Sequence, residues 1–176
     1  MAHWNDAQIN KEAPIIRRVM RAAIAAAVAV IALAACSQPA PTFSLAGASV
    51  DPTHWCPGGA SNAGYDLHAK IDARNDTAKP VTIDAVSAKL TLAAVNGPWL
   101  EPVGQVYDAG AVAVAPTTVA ARSRATLDVV IPSACTSNRY GTSSSSSGHY
   151  NVTLGLETSA GAFTVTASNR HEILAA

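Results

Sequence analysis

Apolar and polar positions alternate with a period of two through most of the chain beyond residue 43. Tyr65, Leu67, Ala69, Ile71 and Ala73 face Asp66, His68, Lys70, Asp72 and Arg74 without a break. Successive side chains on a strand point to opposite faces, so this run predicts a half-buried strand. Asn75 to Pro80 then supplies a turn. Val81, Ile83 and Ala85 keep one parity, whereas Val86, Ala88, Leu90 and Leu92 take the other. A slip of one residue exchanges the two faces, which predicts a bulge or a strand break near Ala85.

Asn96-Gly97-Pro98 marks the next turn, and the weakly patterned apolar stretch from Val103 to Ala115 predicts one or two edge strands. Ala125, Leu127, Val129 and Ile131 form a further strand closed by Pro132. Tyr150, Val152, Leu154 and Leu156 form another, followed by a turn at Ser159-Ala160-Gly161 and a last strand through Phe163, Val165 and Ala167. No segment after Cys36 sustains helical spacing of apolar residues. About seven short antiparallel strands with turn punctuation predict an all-β sandwich, with an antiparallel barrel as the alternative.

The N-terminal region follows a different pattern. Ala22 to Ala35 is uncharged and rich in Ala, with Ile24, Val28, Val30, Ile31 and Leu33 as its larger members. As a helix it reaches only about 21 Å, short of the roughly 30 Å hydrocarbon core of a bilayer. Lys11, Arg17, Arg18 and Arg21 precede it and small residues close it, which is the layout of an export signal. Met20 is an alternative start, which would leave the first residues outside the mature chain in either case.

The block ends Leu33-Ala34-Ala35-Cys36, and over Met20 to Cys36 the chain resembles a bacterial prolipoprotein with its lipobox. The resemblance implies removal of 1–35, a diacylglyceryl thioether on Cys36 with acylation of the new N-terminus, and anchorage to the cell membrane or outer membrane of a bacterium. Residues 36–43, polar and with two prolines, then read as a tether, and 44–176 as the folded domain. In architecture that domain resembles the immunoglobulin-like class. It departs from antibody domains in that Cys56 and Cys135 lie ahead of strands instead of within them.

Composition narrows the function. The chain has 176 residues, with twelve basic against twelve acidic side chains. From Cys36 onward there are eight basic and ten acidic side chains, a formal charge of −2. Without a basic surplus there is little to track a phosphate backbone, so nucleic acid is not expected as a partner. If Cys36 is lipidated, Cys56 and Cys135 remain, and in an exported protein such a pair forms a disulfide, two free thiols being the alternative. Their Cα atoms are then expected within about 7 Å, at the end where both following strands enter the sandwich.

Candidate chemistry is sparse. The chain has no G-x-S-x-G, S-x-x-K, H-E-x-x-H or C-x-x-C. Ser143 to Ser147 lie near His149, but a mobile Ser-rich loop over Thr142 to Gly148 would not hold a nucleophile against its base. His54 and Cys56 offer imidazole and sulfur as in cupredoxin-type sites, yet no Met follows Cys36 and both Cys are better used in a bridge, so neither metal nor other cofactor is expected. His68 falls on a polar strand face and His171 in the tail, where both read as solvated. Asn75-Asp76-Thr77 and Asn151-Val152-Thr153 match a glycosylation sequon by chance.

Trp55, Trp99 and His149 remain as candidates for partner contact, the plainer alternatives being that Trp55 shields the bridge sulfur of Cys56 and that Trp99 folds back over the sandwich end. The expected function is that of a lipid-anchored, non-enzymatic envelope protein whose domain contacts another protein. The alternative is a ligand-binding or enzyme-inhibiting lipoprotein.

Overall fold

The computed structural model describes residues 40, 42–56, 63–135 and 146–175. The chain divides into Met1–Ala40 and Pro41–Ala176, and every described strand belongs to the second unit. Cys36, the leader 1–35 and most of the expected tether lie outside the described residues. Among the described residues no helix is long and apolar enough to cross a membrane.

The described chain consists of eleven strands: β1 Phe43–Val50, β2 Thr53–Cys56, β3 Gly64–Asn75, β4 Val81–Asn96, β5 Val106–Ala111, β6 Ala113–Ala115, β7 Thr118–Val119, β8 Ser123–Ala134, β9 Ser146–Thr158, β10 Gly161–Thr166 and β11 His171–Ala175. The smaller sheet runs β1-β3-β8-β6. The larger runs β2-β11-β9-β4-β5, with β10 also on β9 and β7 on β4. Both sheets are open, which excludes the closed barrel. The fold is an immunoglobulin-like β-sandwich in which all pairings are antiparallel except β2 with β11.

The predicted parity builds the core. Leu67, Ala69, Ile71 and Ala73 of β3 and Leu127, Val129 and Ile131 of β8 point inward from one sheet. They meet Val86, Ala88, Leu90 and Leu92 of β4 and Val152, Leu154 and Leu156 of β9 from the other, all of them buried. Each such large side chain contributes roughly 1.5–3 kcal/mol when fully removed from water. The slip expected near Ala85 is an irregularity between Ile83 and Ala85 within the continuous strand β4, opposite Thr158 and Glu157. It leaves Ile83 and Val86 both buried although their positions differ in parity.

Three expectations are corrected. Phe43, assigned to the tether, begins β1 and is buried, its ring edge-on to Phe163 at 5.1 Å. The last strand is not Phe163–Ala167, because β11 follows it and inserts between β2 and β9. Ser146 to Gly148, expected in a mobile loop, belong to β9 and are buried; residues 136–145 lie outside the described ones.

At the β5–β6 junction the chain changes sheets. Gly110 takes a φ of +64°, a left-handed conformation that suits glycine. The β4–β5 register is irregular there, and Val112 N–H still donates to Val86 O at 2.9 Å. The strand therefore leaves β4 and joins β8 as β6.

Candidate functional site at one end of the sandwich

β2 lies at the edge of the larger sheet and ends at Cys56, and Cys135 directly follows β8 of the smaller sheet. The two form the expected disulfide, with Cα atoms 5.7 Å apart. Both cysteines are buried, and Cys135 N–H donates to Ala63 O at 2.9 Å. The bridge ties the two sheets together at one end.

His54 stands beside it, stacked on Tyr65 with ring centroids 3.7 Å apart and planes 5° from parallel. A ring nitrogen of His54 and the sulfurs of Cys56 and Cys135 all lie within 4.8 Å of one another. This is the spacing of a ligand set, but thiolates are the metal ligands and these sulfurs are bonded to each other.

Behind His54 runs a polar seam across the interior. Tyr65 of the smaller sheet points inward, and its hydroxyl lies 2.9 Å from Nε2 of His171 in the larger sheet. Nδ1 of His171 lies 2.7 Å from the carbonyl oxygen of Asp51. A carbonyl only accepts, so Nδ1 carries the proton, Nε2 accepts, and Tyr65 donates. His171 is 1% exposed, which corrects the expectation that it is solvated in a tail. It is buried at little cost because both ring nitrogens have partners. Burial pushes its pKa below the ordinary value, opposed by the Asp51 carbonyl. Burial likewise raises that of Tyr65, opposed by the Ser133 hydroxyl. His68, by contrast, lies on the exposed face as expected, with Nδ1 3.0 Å from Asp51 Oδ2.

A second chain of hydrogen bonds lies across the same end. Trp99 follows the Gly97-Pro98 turn and folds back inward, so that a Cβ on Gly148 would sit 2.6 Å from its ring carbons. Its Nε1–H donates to the Tyr150 hydroxyl at 3.3 Å, and that hydroxyl donates to Glu101 Oε2 at 2.9 Å. Burial, with the neighbouring Glu101 carboxylate also contributing, raises the Tyr150 pKa far above the ordinary value, so it is a neutral donor.

Between the sheets lies a cavity of about 230 Å³, lined by Leu90, Ile173, Tyr107, Tyr150 and Ala134, with Glu101 and Ser133 as polar groups. The Tyr107 hydroxyl donates to Pro132 O at 3.3 Å, linking β5 to β8 beside it. Tyr65, Tyr107, Tyr150, Glu101 and His171 were not singled out as a site in the sequence. The available signal was a tyrosine at each of two inward parity positions, Tyr65 and Tyr150, where a hydroxyl needs a partner.

The outer face of the larger sheet carries the other candidates. Trp55 alternates away from Cys56 and is 64% exposed, so it does not shield the bridge sulfur. His149 is half-buried in β9, with its Nε2 3.1 Å from Asn96 Nδ2, 3.4 Å from Ser147 Oγ and 3.6 Å from Glu172 Oε1. The Ser147 position is thus fixed by a strand, contrary to the loop expected. All three neighbours converge on a single nitrogen, whereas a catalytic serine needs one nitrogen as base while an acid orients the other.

No family model matches the chain, and no curated relative does. Among solved structures it is similar to the solution structure of a putative late embryogenesis abundant (LEA) protein, at 16% identity over 99% of this chain and 94% of that one, TM-score 0.44. It is similar also to AggA, the major subunit of aggregative adherence fimbriae type I from Escherichia coli, at 8% identity over 79% and 99%, TM-score 0.37. A PapD-like domain of human CEP192 matches at 12% identity over 79% and 87%, TM-score 0.26. The fold class rests on the strands and sheet order themselves.

Proposed function

We propose that the chain is an exported bacterial protein, held to a membrane by lipid on Cys36, whose sandwich is a non-catalytic module for contact with another envelope protein. The lipobox-like Leu33-Ala34-Ala35-Cys36 and the Cys56–Cys135 disulfide support export to an oxidising compartment. The convergence on His149 Nε2 supports a non-catalytic role. One observation carries the contact role: large apolar side chains are left in water at the disulfide end. Leu100, Val103, Val106 and Tyr107 are exposed along one stretch. Trp55 shares a register row with Leu174, Ser147 and Asn96, which leads into that stretch. Exposed apolar surface of this kind suits a protein interface.

Two measurements test this. The mature product, isolated from cells, is expected to begin at Cys36 and to carry acyl mass; a start elsewhere without acyl groups removes the anchor. A photo-crosslinking side chain placed at Val103 is expected to give a discrete adduct in cells that disappears with Val106→Asp. No adduct, or one unaffected by that substitution, removes the contact role. A second reading, a domain that holds a small ligand, is favoured by the cavity bounded by Tyr107, Tyr150 and Glu101.

A further inference from the structure

We propose that the cavity at the disulfide end binds a small organic ammonium ion with an apolar body. The inference rests on the ligand-holding reading and supplies its chemical class. Three features define the site. Glu101 places a carboxylate on the cavity, and among the described residues no Lys, Arg or His forms an ion pair with it. Tyr150 donates to one carboxylate oxygen and is itself held by Trp99, so the negative charge is fixed in place by two side chains of known orientation. Two aromatic side chains, Tyr107 and Tyr150, and two aliphatic ones, Leu90 and Ile173, line the same cavity.

A cavity lined by a carboxylate, two aromatic rings and aliphatic side chains is complementary to a cation that can donate to the carboxylate, contact an aromatic ring and bury a hydrocarbon body. An anion would meet Glu101 unfavourably. A neutral isostere would gain the apolar contacts and lose the charge. The volume, about 230 Å³, lies below the roughly 300–1,000 Å³ typical of drug-sized ligands, which restricts the occupant to a small amine.

The test uses the full, disulfide-bonded chain and three probes of similar shape: phenethylamine, phenethyl alcohol and phenylacetate. The reporter is the indole N–H resonance of Trp99, assigned by its loss in Trp99→Phe, with affinities from titration calorimetry. Phenethylamine is expected to shift the resonance saturably and to bind about tenfold or more tighter than the alcohol, as a charge-assisted bond replaces a neutral one. Glu101→Gln is expected to abolish that preference while leaving the rest of the spectrum unchanged. Binding of the alcohol or phenylacetate as tight as that of the amine overturns the ammonium class and leaves ligand holding standing. Failure of all three probes to shift Trp99 overturns both.

Discussion

The two ends of the sandwich are closed by different physics. At one end Asn75, the last residue of β3 and fully buried, gathers the surrounding backbone. Its amide donates toward the carbonyls of Lys79, Val119 and Ala120 at 2.8, 3.1 and 3.0 Å, and its Oδ1 accepts from Thr77 N–H and Oγ1–H at 3.0 and 2.7 Å. Most of these groups belong to turn backbone, and the knot leaves one side chain at the centre of its own network. At the other end lie a disulfide, three tyrosines, two histidines and Trp99, with a cavity lined by two of the tyrosines. That end contains titratable groups, open volume and exposed apolar side chains. One end is tied by a single side chain to turn backbone, the other by side chains that reach from one sheet to the other.

The largest effect is expected from removing the bridge. Cys56→Ala with Cys135→Ala releases a link between residues 79 apart in sequence, for a loss of about 2–5 kcal/mol in thermal or denaturant unfolding. Hydrogen exchange should accelerate first around Trp99 and Tyr65 and last around Asn75. Uniform acceleration would erase the distinction between the two ends.

Asn75→Ala acts on the opposite end. It leaves buried carbonyls without a donor and is expected to cost about 3 kcal/mol, each unsatisfied group being worth about 1–3 kcal/mol. The Trp99 resonance should be unmoved. A cost below about 1 kcal/mol would mean that water replaces the amide and that the knot is not what closes this end.

Gly148→Ala probes the seat of Trp99, whose indole N–H is bonded to the cavity residue Tyr150. The new methyl meets the Trp99 ring at 2.6 Å, so the indole must move. The expected cost is about 1–3 kcal/mol, with a displaced Trp99 N–H resonance. An unchanged resonance would show that Trp99 does not dock there.

The smallest effect is a pH dependence confined to the disulfide end. His171 is held neutral, with a folded pKa below the ordinary 6.5. The unfolded chain therefore takes up a proton first as pH falls. The stabilisation is complete above about pH 6.5 and is lost progressively below it, toward the lowered folded value. His54, Tyr65 and Asp51 surround this ring. Substituting His171→Gln should flatten the unfolding free energy between neutral and mildly acidic pH, whereas Asn75→Ala should leave the slope unchanged.

Much of the fold was legible along the chain. The parities of β3, β4, β8 and β9, the slip near Ala85 and the hairpin at Ser159-Ala160-Gly161 all follow from which residues avoid water, and they recur in the register. β11 was not legible. It is short, begins with a histidine, and owes its place to β2 and β9 on either side. Phe43 reads as the end of a proline-rich tether until Phe163, far along the chain, packs against it.

The amino-acid order alone determined which faces of the strands are dry, because water exclusion on a pleated strand is a local rule with a period of two. Only the tertiary structure decided that His171 is buried and that Glu101, Tyr150 and Trp99 share hydrogen bonds. The groups that satisfy His171 lie 120 and 106 residues away, at Asp51 and Tyr65. Whether a polar side chain enters the interior depends on finding such partners there, and they are supplied by the packing of one sheet on the other.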